Sequence, residues 1–359
     1  MDKERGGPFR REGRRKRHSS GNGPGMSNKI ASIDILVPSY NYARYLDECL
    51  QSIRSYRGSE MRVLVIDNAS TDESVAIARR HASEDSRIEV RARTKNLGST
   101  SSFNEGIDWA RSDYFAVLCA DDLFTPGALA RAVAIMERHR NVTLVYGPTR
   151  FVMGDDEACL ASTDGAAEGY QVMAGGDFLE EFCRTGRNPV AGPAVVVRTS
   201  TQKRVGHYRA ELTHTDDVEL WMRFAAIGDV AQVDATQVIS RIHGENKSSA
   251  VRDVHMWNVE MERAFNVFFA GPGANLAQAE RLKRLAVNSL AARAYWCAVS
   301  HLVRREPGVA NLIRFALSRR PSFAVLPPVG SLMTRGDAME RIAATLRSLT
   351  AGGVQSARG

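Results

Sequence analysis

Tyr114-Phe-Ala-Val-Leu-Cys-Ala-Asp-Asp-Leu-Phe124 opens as an apolar, strand-like run, Tyr114 to Leu118. It ends in two adjacent carboxylates, Asp121 and Asp122. Oxygen-rich acidic groups at a strand end suit a hard divalent cation, and a bound cation suits a diphosphate. Acidic pairs after strands also serve as turns and helix caps, so the surroundings must decide between these roles.

Working outward, Ile33-Asp-Ile-Leu-Val37 is a short apolar run stopped by Pro38, and residues 43–56 read as a helix. Met61-Arg-Val-Leu-Val-Ile66 is a second strand, and Ser70 or Thr71 opens a helix to about His81. Ile88-Glu-Val90 is a third strand, residues 100–110 are helical, and the opening run is the fourth strand. A helix over 126–139 starts with Pro126 in the permissible first turn, and Thr143-Leu-Val-Tyr146 follows as a strand. Strands alternating with helices of this length predict an α/β fold, a parallel sheet covered on both faces. Ligands bind beyond the carboxyl ends of such strands.

Those ends are polar. They carry Pro38-Ser-Tyr-Asn41, then Asp67-Asn-Ala-Ser-Thr-Asp72, then Lys95-Asn-Leu-Gly98 with Asn104-Glu-Gly106, then Asp121 and Asp122. Each cluster alone is ordinary turn and cap chemistry. Four at successive strand ends converge on one crevice and predict a binding site. No G-x-G-x-x-G follows the first strand and no G-x-x-x-x-G-K-[ST] occurs, which disfavours a dinucleotide dehydrogenase and a P-loop ATPase.

The bulk numbers agree. A chain of 359 residues holds one large domain with an appendage, or two domains. Hydrophobic content of 43% and charged content of 25% are those of a globular protein. Cys49, Cys119, Cys159, Cys183 and Cys297 form no C-x-x-C pair, which argues against a zinc or disulfide framework and suits a reducing compartment. No apolar run reaches the roughly 18 residues of a membrane span, and no signal peptide opens the chain. The expected location is cytoplasmic, with a peripheral position at the inner membrane face as an option. Residues 1–28 carry eight Lys/Arg against three Asp/Glu and read as a disordered basic tail, with Met26 as an alternative start.

Ile35-Leu-Val-Pro-Ser-Tyr-Asn-Tyr42, Val65-Ile-Asp-Asn-Ala-Ser-Thr-Asp72, Asn96-Leu-Gly98 with Asn104-Glu-Gly-Ile107, and Leu118-Cys-Ala-Asp-Asp-Leu123 resemble, in order and spacing, the donor half of family 2 glycosyltransferases with the GT-A fold. The resemblance covers roughly residues 33–150. It implies a nucleoside diphosphate sugar as donor and Mg²⁺ or Mn²⁺ as cofactor. Pro38, Tyr40 and Asp67 would contact the base, with Asn41 and Asn104 in the same nucleotide-sugar site. Asn96 and Gly98 would lie beside the nucleotide, Asp121 near the ribose, and Asp122 on the metal. Cys119 departs from the pattern, since many members place a further carboxylate there.

The second half extends the resemblance. Gly175-Gly-Asp-Phe-Leu-Glu-Glu-Phe182 starts a helix, Ala194-Val-Val-Val-Arg198 is a strand, and Gly206-His-Tyr208 a turn. In Thr215-Asp-Asp-Val-Glu-Leu-Trp-Met-Arg-Phe224, Leu220, Trp221 and Phe224 fall at helical spacing and predict core packing; Trp221 also borders the expected sugar site. Asp216 and Asp217 suit a helix N-terminus on dipole grounds. The family pattern puts an acidic pair before a Leu-Trp helix, and its second member, here Asp217, is the catalytic base. Ser240-Arg-Ile-His-Gly-Glu-Asn-Lys-Ser-Ser249 follows a strand-like Thr236–Ile239 and resembles the family's Arg-x-His element. By that match His243 is a metal or diphosphate contact and Arg241 supports the anion; a histidine slightly favours Mn²⁺.

Beyond residue 250 the resemblance fades. Residues 255–270, 276–304 and about 308–319 read as helices, with Leu282, Leu285, Ala286, Ser289 and Leu290 on one stripe. Arg304, Arg305, Arg314, Arg319 and Arg320 beside Phe315, Phe323 and Leu326 suit either a solvated face or an anionic membrane surface with a lipid-linked acceptor. The last residues, Gly352 to Gly359, read as frayed.

The predicted organisation is a basic tail over 1–28, a GT-A domain over 30–250 and a helical region over 251–350. The predicted function is metal-dependent, inverting hexosyl transfer to a carbohydrate or lipid-linked hydroxyl, in polysaccharide, O-antigen or glycolipid assembly. A nucleotidyltransferase would prefer a Gly-rich, Lys/Arg-bearing loop after the first strand, which Ser39-Tyr-Asn-Tyr-Ala-Arg44 is not. A nucleic-acid-binding protein acting through the tail would leave the acidic strand ends unexplained, so no specific nucleic acid partner is expected.

Overall fold

A computed structural model describes residues 16–18, 31–57, 60–153, 169–243 and 253–333. The rest of the basic tail, the Met26 start, Gly244 to Ser249 of the last motif and Gly352 to Gly359 lie outside these residues. The described residues form two compact units. One draws on Arg14–Phe178 and Val190–Lys247, the other on Leu179–Pro189 and Ser248–Gly359.

The first unit is built on alternating strands and helices: β1 (Lys16–His18), β2 (Ser32–Ser39), α1 (Ala43–Arg54), β3 (Glu60–Asp67), α2 (Ser74–Glu84), β4 (Ile88–Ala92), α3 (Ser99–Trp109), β5 (Tyr114–Val117). Then come β6 (Asp122–Phe124), α4 (Ala128–Arg138), β7 (Val142–Tyr146), β8 (Thr149–Met153) and β9 (Tyr170–Met173). Helix α5 (Gly175–Thr185) runs out of this unit into the other. The first unit resumes with β10 (Val195–Arg198), α6 (Thr199–Val205), α7 (Asp216–Ala225), β11 (Asp229–Val233) and β12 (Val238–Ile242).

Nine strands make one sheet in the order β1-β9-β11-β7-β10-β5-β2-β3-β4. Strands β2, β3, β4 and β5 run parallel; β10 and β9 run against their neighbours. The sheet is mostly parallel, as expected. Its central strands are apolar on both faces because helices cover both. Ile33, Ile35, Leu36, Val37, Val63, Leu64, Val65 and Ile66 are all fully buried. Helix α1 turns Leu46, Cys49, Leu50 and Ile53 inward at helical spacing. Helix α3 comes so near β2 that a Cβ on Gly106 would sit 2.4 Å from a Leu36 methyl, which is why glycine stands there.

Asp34 interrupts the apolar run of β2 and is fully buried. Its carboxylate accepts from Arg62 at 2.8 and 2.6 Å, from the Arg111 and Ser112 amides at 2.6 and 2.8 Å, and from the Ser112 hydroxyl at 2.6 Å. A buried charge satisfied this completely ties β2, β3 and the turn before β5 together.

Among the described residues, strands β1, β6, β8, β9 and β11, helix α6 and the short helix Val329–Met333 were not legible in the sequence. They have three to seven residues, too few to show a period. Strands β6, β12 and β8 form a second, three-stranded sheet. Lys16–His18, expected to be unstructured, pairs antiparallel with β9; main-chain ladder bonds need no apolar side chain.

The second unit contains α8 (Val254–Ala270), α9 (Ala279–Arg304), α10 (Val309–Arg319) and α11 (Val329–Met333). Residues 179–189 pack with them. Phe182 meets Phe265 at 5.7 Å between ring centroids, and the Ser289 hydroxyl donates to the Cys183 carbonyl at 2.7 Å. Phe315 is buried, and Arg319 bonds Glu262, so neither joins a free basic-apolar surface. Among the described residues of this unit, the large apolar side chains that reach solvent are Met256, Leu302, Val325 at 82% and Leu326 at 72% exposure, and Val329. Among the described residues no helix is long and apolar enough to cross a membrane.

Candidate active site

The carboxyl ends of β2 and β3 are level, since Ser39 pairs with Asp67, while β5 ends at Val117 opposite Leu36. The loops leaving them are laced together by short polar side chains. Asn41, at φ 58°, takes the left-handed conformation that asparagine tolerates. Its side-chain oxygen accepts from the Thr71 amide at 2.8 Å, and its own amide donates to the Ser70 hydroxyl at 2.9 Å. Ser70 in turn donates through amide and hydroxyl to Asp67 at 2.9 and 2.5 Å. Pro38 is half-buried at the end of β2, and the Tyr40 ring is exposed beyond it.

The third loop is fixed the same way. Asn96 Oδ1 accepts from Asn68 at 2.6 Å and from the Gly98 amide at 2.8 Å. Gly98, at φ 83°, caps α3 with open space where a Cβ would be. The chain therefore enters α3 with its first amides uncovered by a capping side chain.

Asp121 and Asp122 follow β5, and both are buried. Residues Cys119, Asp121 and Asp122 each offer one ligand atom, all within 4.8 Å of one another. Strand β6 pairs antiparallel with β12, Asp122 opposite Ser240, so the chain leaving β12 returns His243 to the acidic pair. Its ring nitrogen Nε2 lies 3.0 Å from Asp121 Oδ2, and its ring stacks on Tyr45 at 5.3 Å. Burial first, and then the neighbouring Asp121 charge, push the Asp122 carboxyl up to about 8, against the pull of the Ser240 hydroxyl and Arg241. Asp122 Oδ1 has no hydrogen-bond partner. A desolvated, unpaired carboxylate oxygen beside a second carboxylate fits a cation.

Strand β10 lies antiparallel to β5, so the turn Gly192–Ala194 that precedes it stands at the carboxyl end of β5. There a Cβ on Gly192 would lie 3.7 Å from Asp217 Oδ2. Helix α7 carries Asp216 and Asp217 in its first turn, where the helix dipole favours carboxylates. The Thr100 hydroxyl, in the first turn of α3, donates to Asp216 Oδ2 at 3.4 Å. Beneath them the Tyr208 hydroxyl is pushed well up, first by burial, then by the charges of Asp216, Asp217 and Cys119. Asp217 and the Cys119–Asp122 group thus share one sheet edge. Helix α7 is held there by fully buried Glu219, bonded to Arg223 at 2.9 Å; Arg223 also donates to the His207 carbonyl at 2.7 Å.

Besides Asn41, Asp67 and Asn96, three further residues expected at the nucleotide sugar have protein partners. Both ends of the Asn104 amide are taken by the main chain of Tyr208, at 3.0 and 2.8 Å, so it pins the 206–208 turn to α3. Trp221 is buried against Tyr208 and Phe224, at 6.5 and 6.1 Å between ring centroids. Arg241, expected to meet the anion, is only 2% exposed. It donates to the Asp121 carbonyl at 3.0 Å, pairs with Glu48 and lies over Tyr45, so it shapes the acidic turn from behind. Tyr45, Glu48, Thr100, Gly192 and Tyr208 are site neighbours that the sequence did not single out. Tyr45 and Glu48, one helical turn apart on α1, carried the only spacing signal.

Residues 34–195 match the family model for glycosyl transferase family 2.

The chain carries a family 2 glycosyltransferase domain.

It is a transferase. An uncharacterized glycosyltransferase of Haemophilus influenzae is 22% identical over 221 residues, 60% of this chain and 67% of that protein. Among solved structures, S. aureus TarS 1-349 in complex with UDP-GlcNAc aligns with a TM-score of 0.57 at 16% identity, over 90% of this chain and 92% of that one. The mannosyltransferase PcManGT from Pyrobaculum calidifontis, in complex with GDP-Man and Mn²⁺, aligns with a TM-score of 0.52 at 17% identity, over 92% and 88%. At these identities the likeness establishes the GT-A fold of the family 2 domain.

Proposed function

We propose that this glycosyltransferase moves a sugar from a nucleoside diphosphate sugar to an acceptor hydroxyl by direct displacement, inverting the anomeric centre. The observation that carries this reading is the shared sheet edge. The Cys119–Asp122 group leaves the end of β5, and Asp217 faces Gly192 at that same end. One carboxylate group suits a cation and its diphosphate; the other suits a proton in transit.

Asp217 takes the proton of the attacking hydroxyl, a general-base role worth roughly 10²–10⁴ in rate. With Asp217 as base the hydroxyl attacks the anomeric carbon directly, and single displacement inverts. Asp122 and His243, with Asp121 between them, would hold Mg²⁺ or Mn²⁺. When bound, that ion offsets the charge that grows on the leaving diphosphate. The open first turn of α3 after Gly98 offers amides to the same anion. Pro38, Tyr40 and Asp67 border the base, with Asn41 and Asn96 holding their loops in shape. The complexes of TarS with UDP-GlcNAc and of PcManGT with GDP-Man and Mn²⁺ support a sugar nucleotide and a divalent ion here.

The acceptor in this reading is a carbohydrate or lipid-linked hydroxyl in polysaccharide, O-antigen or glycolipid assembly. The cytoplasmic protein would touch an anionic membrane through exposed Val325 and Leu326 near Arg320. The test is a thermal-shift series with UDP, GDP, dTDP and CDP, each with and without Mn²⁺. One nucleotide should raise the melting temperature more with Mn²⁺ than without. If none of the four does so under either condition, the donor assignment fails.

A further inference from the structure

A thiol stands among the carboxylates. Cys119 Sγ and one oxygen each of Asp121 and Asp122 lie within 4.8 Å of one another, and the His243 ring nitrogen is 3.0 Å from Asp121. The unpartnered Asp122 Oδ1 belongs to a side chain 3% exposed. That independent feature marks the spot as one a ligand should complete, because a desolvated acceptor with no partner is costly. The donors on offer are sulfur, nitrogen and oxygen. An all-oxygen set suits Mg²⁺, whereas imidazole and thiolate suit zinc-like and softer divalent ions.

Building on the glycosyl-transfer reading, we propose that Cys119 is a sulfur ligand of the cation that holds the donor diphosphate. The site then takes thiophilic divalent ions such as Co²⁺, Zn²⁺ and Cd²⁺ far more readily than Mg²⁺. On coordination the S–H bond breaks, the sulfur–metal bond forms and the proton passes to solvent; nothing is oxidised or reduced. The chemistry follows from this chain's own residue at position 119, where a carboxylate would leave the set free of sulfur.

Affinity order alone cannot test this, because nitrogen and oxygen sites also prefer Co²⁺ and Zn²⁺ to Mn²⁺. The deciding signal is sulfur-to-metal charge-transfer absorption when the metal-free full chain is titrated with Co²⁺ or Cd²⁺ alone. The wild type should develop it, and Cys297→Ser should keep it. Cys119→Ser should lose it and bind Cd²⁺ at least about tenfold more weakly. Cys119→Asp, a second variant in case the serine protein unfolds, should also lose it while gaining Mg²⁺ affinity. Absorption that persists in both Cys119 variants, or Cd²⁺ affinity unchanged in both, overturns the sulfur ligand. Nucleoside diphosphate binding with Mn²⁺ is read separately. If it is intact while the absorption is absent, the transfer reading stands and the Cys119 assignment falls. If the absorption is present and no nucleoside diphosphate binds with any cation, Cys119 stands as a ligand and the transfer reading falls.

Discussion

His243 Nε2 sits 3.0 Å from Asp121 Oδ2, across 122 residues of sequence. The contact joins the end of β12 to the end of β5, and the stacking of His243 on Tyr45 fixes the ring plane. Partners of this kind orient metal-binding carboxylates and sustain their affinity. His243→Ala should therefore weaken Mn²⁺-dependent nucleoside diphosphate binding by roughly 10–100-fold, measured by calorimetry, while the circular dichroism spectrum stays unchanged. Unaltered affinity would remove His243 from the cation's surroundings.

Asp217→Asn preserves shape and hydrogen bonding at the α7 N-terminus but cannot take a proton. Donor affinity should hold within about twofold while turnover falls roughly 10²–10⁴-fold. Sugar transfer at wild-type rate would show that another group is the base.

The raised Asp122 carboxyl gives a stability signature. Its ordinary value is about 4, and burial with Asp121 lifts it to about 8 in the folded protein. Between those values the folded chain binds more protons than the unfolded one, so stability falls as pH rises. The metal-free melting temperature should drop between pH 5 and pH 8.5. Mn²⁺ should stabilise most at the upper end, where Asp122 must otherwise carry an unneutralised charge. Asp122→Asn should flatten both trends in differential scanning fluorimetry.

Asn104 tests a structural role against a ligand-binding one. Asn104→Ala leaves two Tyr208 main-chain groups without their partner and should cost about 1–3 kcal/mol, read from urea unfolding. Nucleoside diphosphate affinity per folded molecule should be unchanged. A selective loss of affinity without a loss of stability would return Asn104 to the nucleotide.

Asp34→Ala should be the most damaging single change outside the site. It strands Arg62 and the Arg111 and Ser112 amides, which bond its buried carboxylate, a loss of roughly 3–5 kcal/mol. Expression without a folded product, or a fall in denaturation midpoint of that size, is the expected result.

The fold's first half was legible because parallel strands buried on both faces are nearly continuous apolar runs, as Ile33–Val37 and Met61–Ile66 are apart from the paired Asp34 and Arg62. The second half was harder to read, since β9 and β11 are short and their order in the sheet depends on long-range pairing. In the site, Asp121, Asp122, Asp217 and His243 stood out as polar residues at element ends. Arg241 misled for a physical reason: an arginine beside a predicted anion looks like its ligand, yet here its guanidinium closes a buried bond to the Asp121 carbonyl. Tyr208 was invisible, because its burial beside Asp216 and Asp217 comes from the turn that Asn104 pins.

Residues 179–189 lie in the middle of the catalytic sequence yet pack with helices that begin seventy residues later. The backbone therefore passes between the two units at 178/179 and at 189/190. A gene cut at residue 250 would leave Phe182 and Cys183 without Phe265 and Ser289 to cover them. An engineered chimera that exchanges the helices after residue 250 would have to exchange residues 179–189 with them.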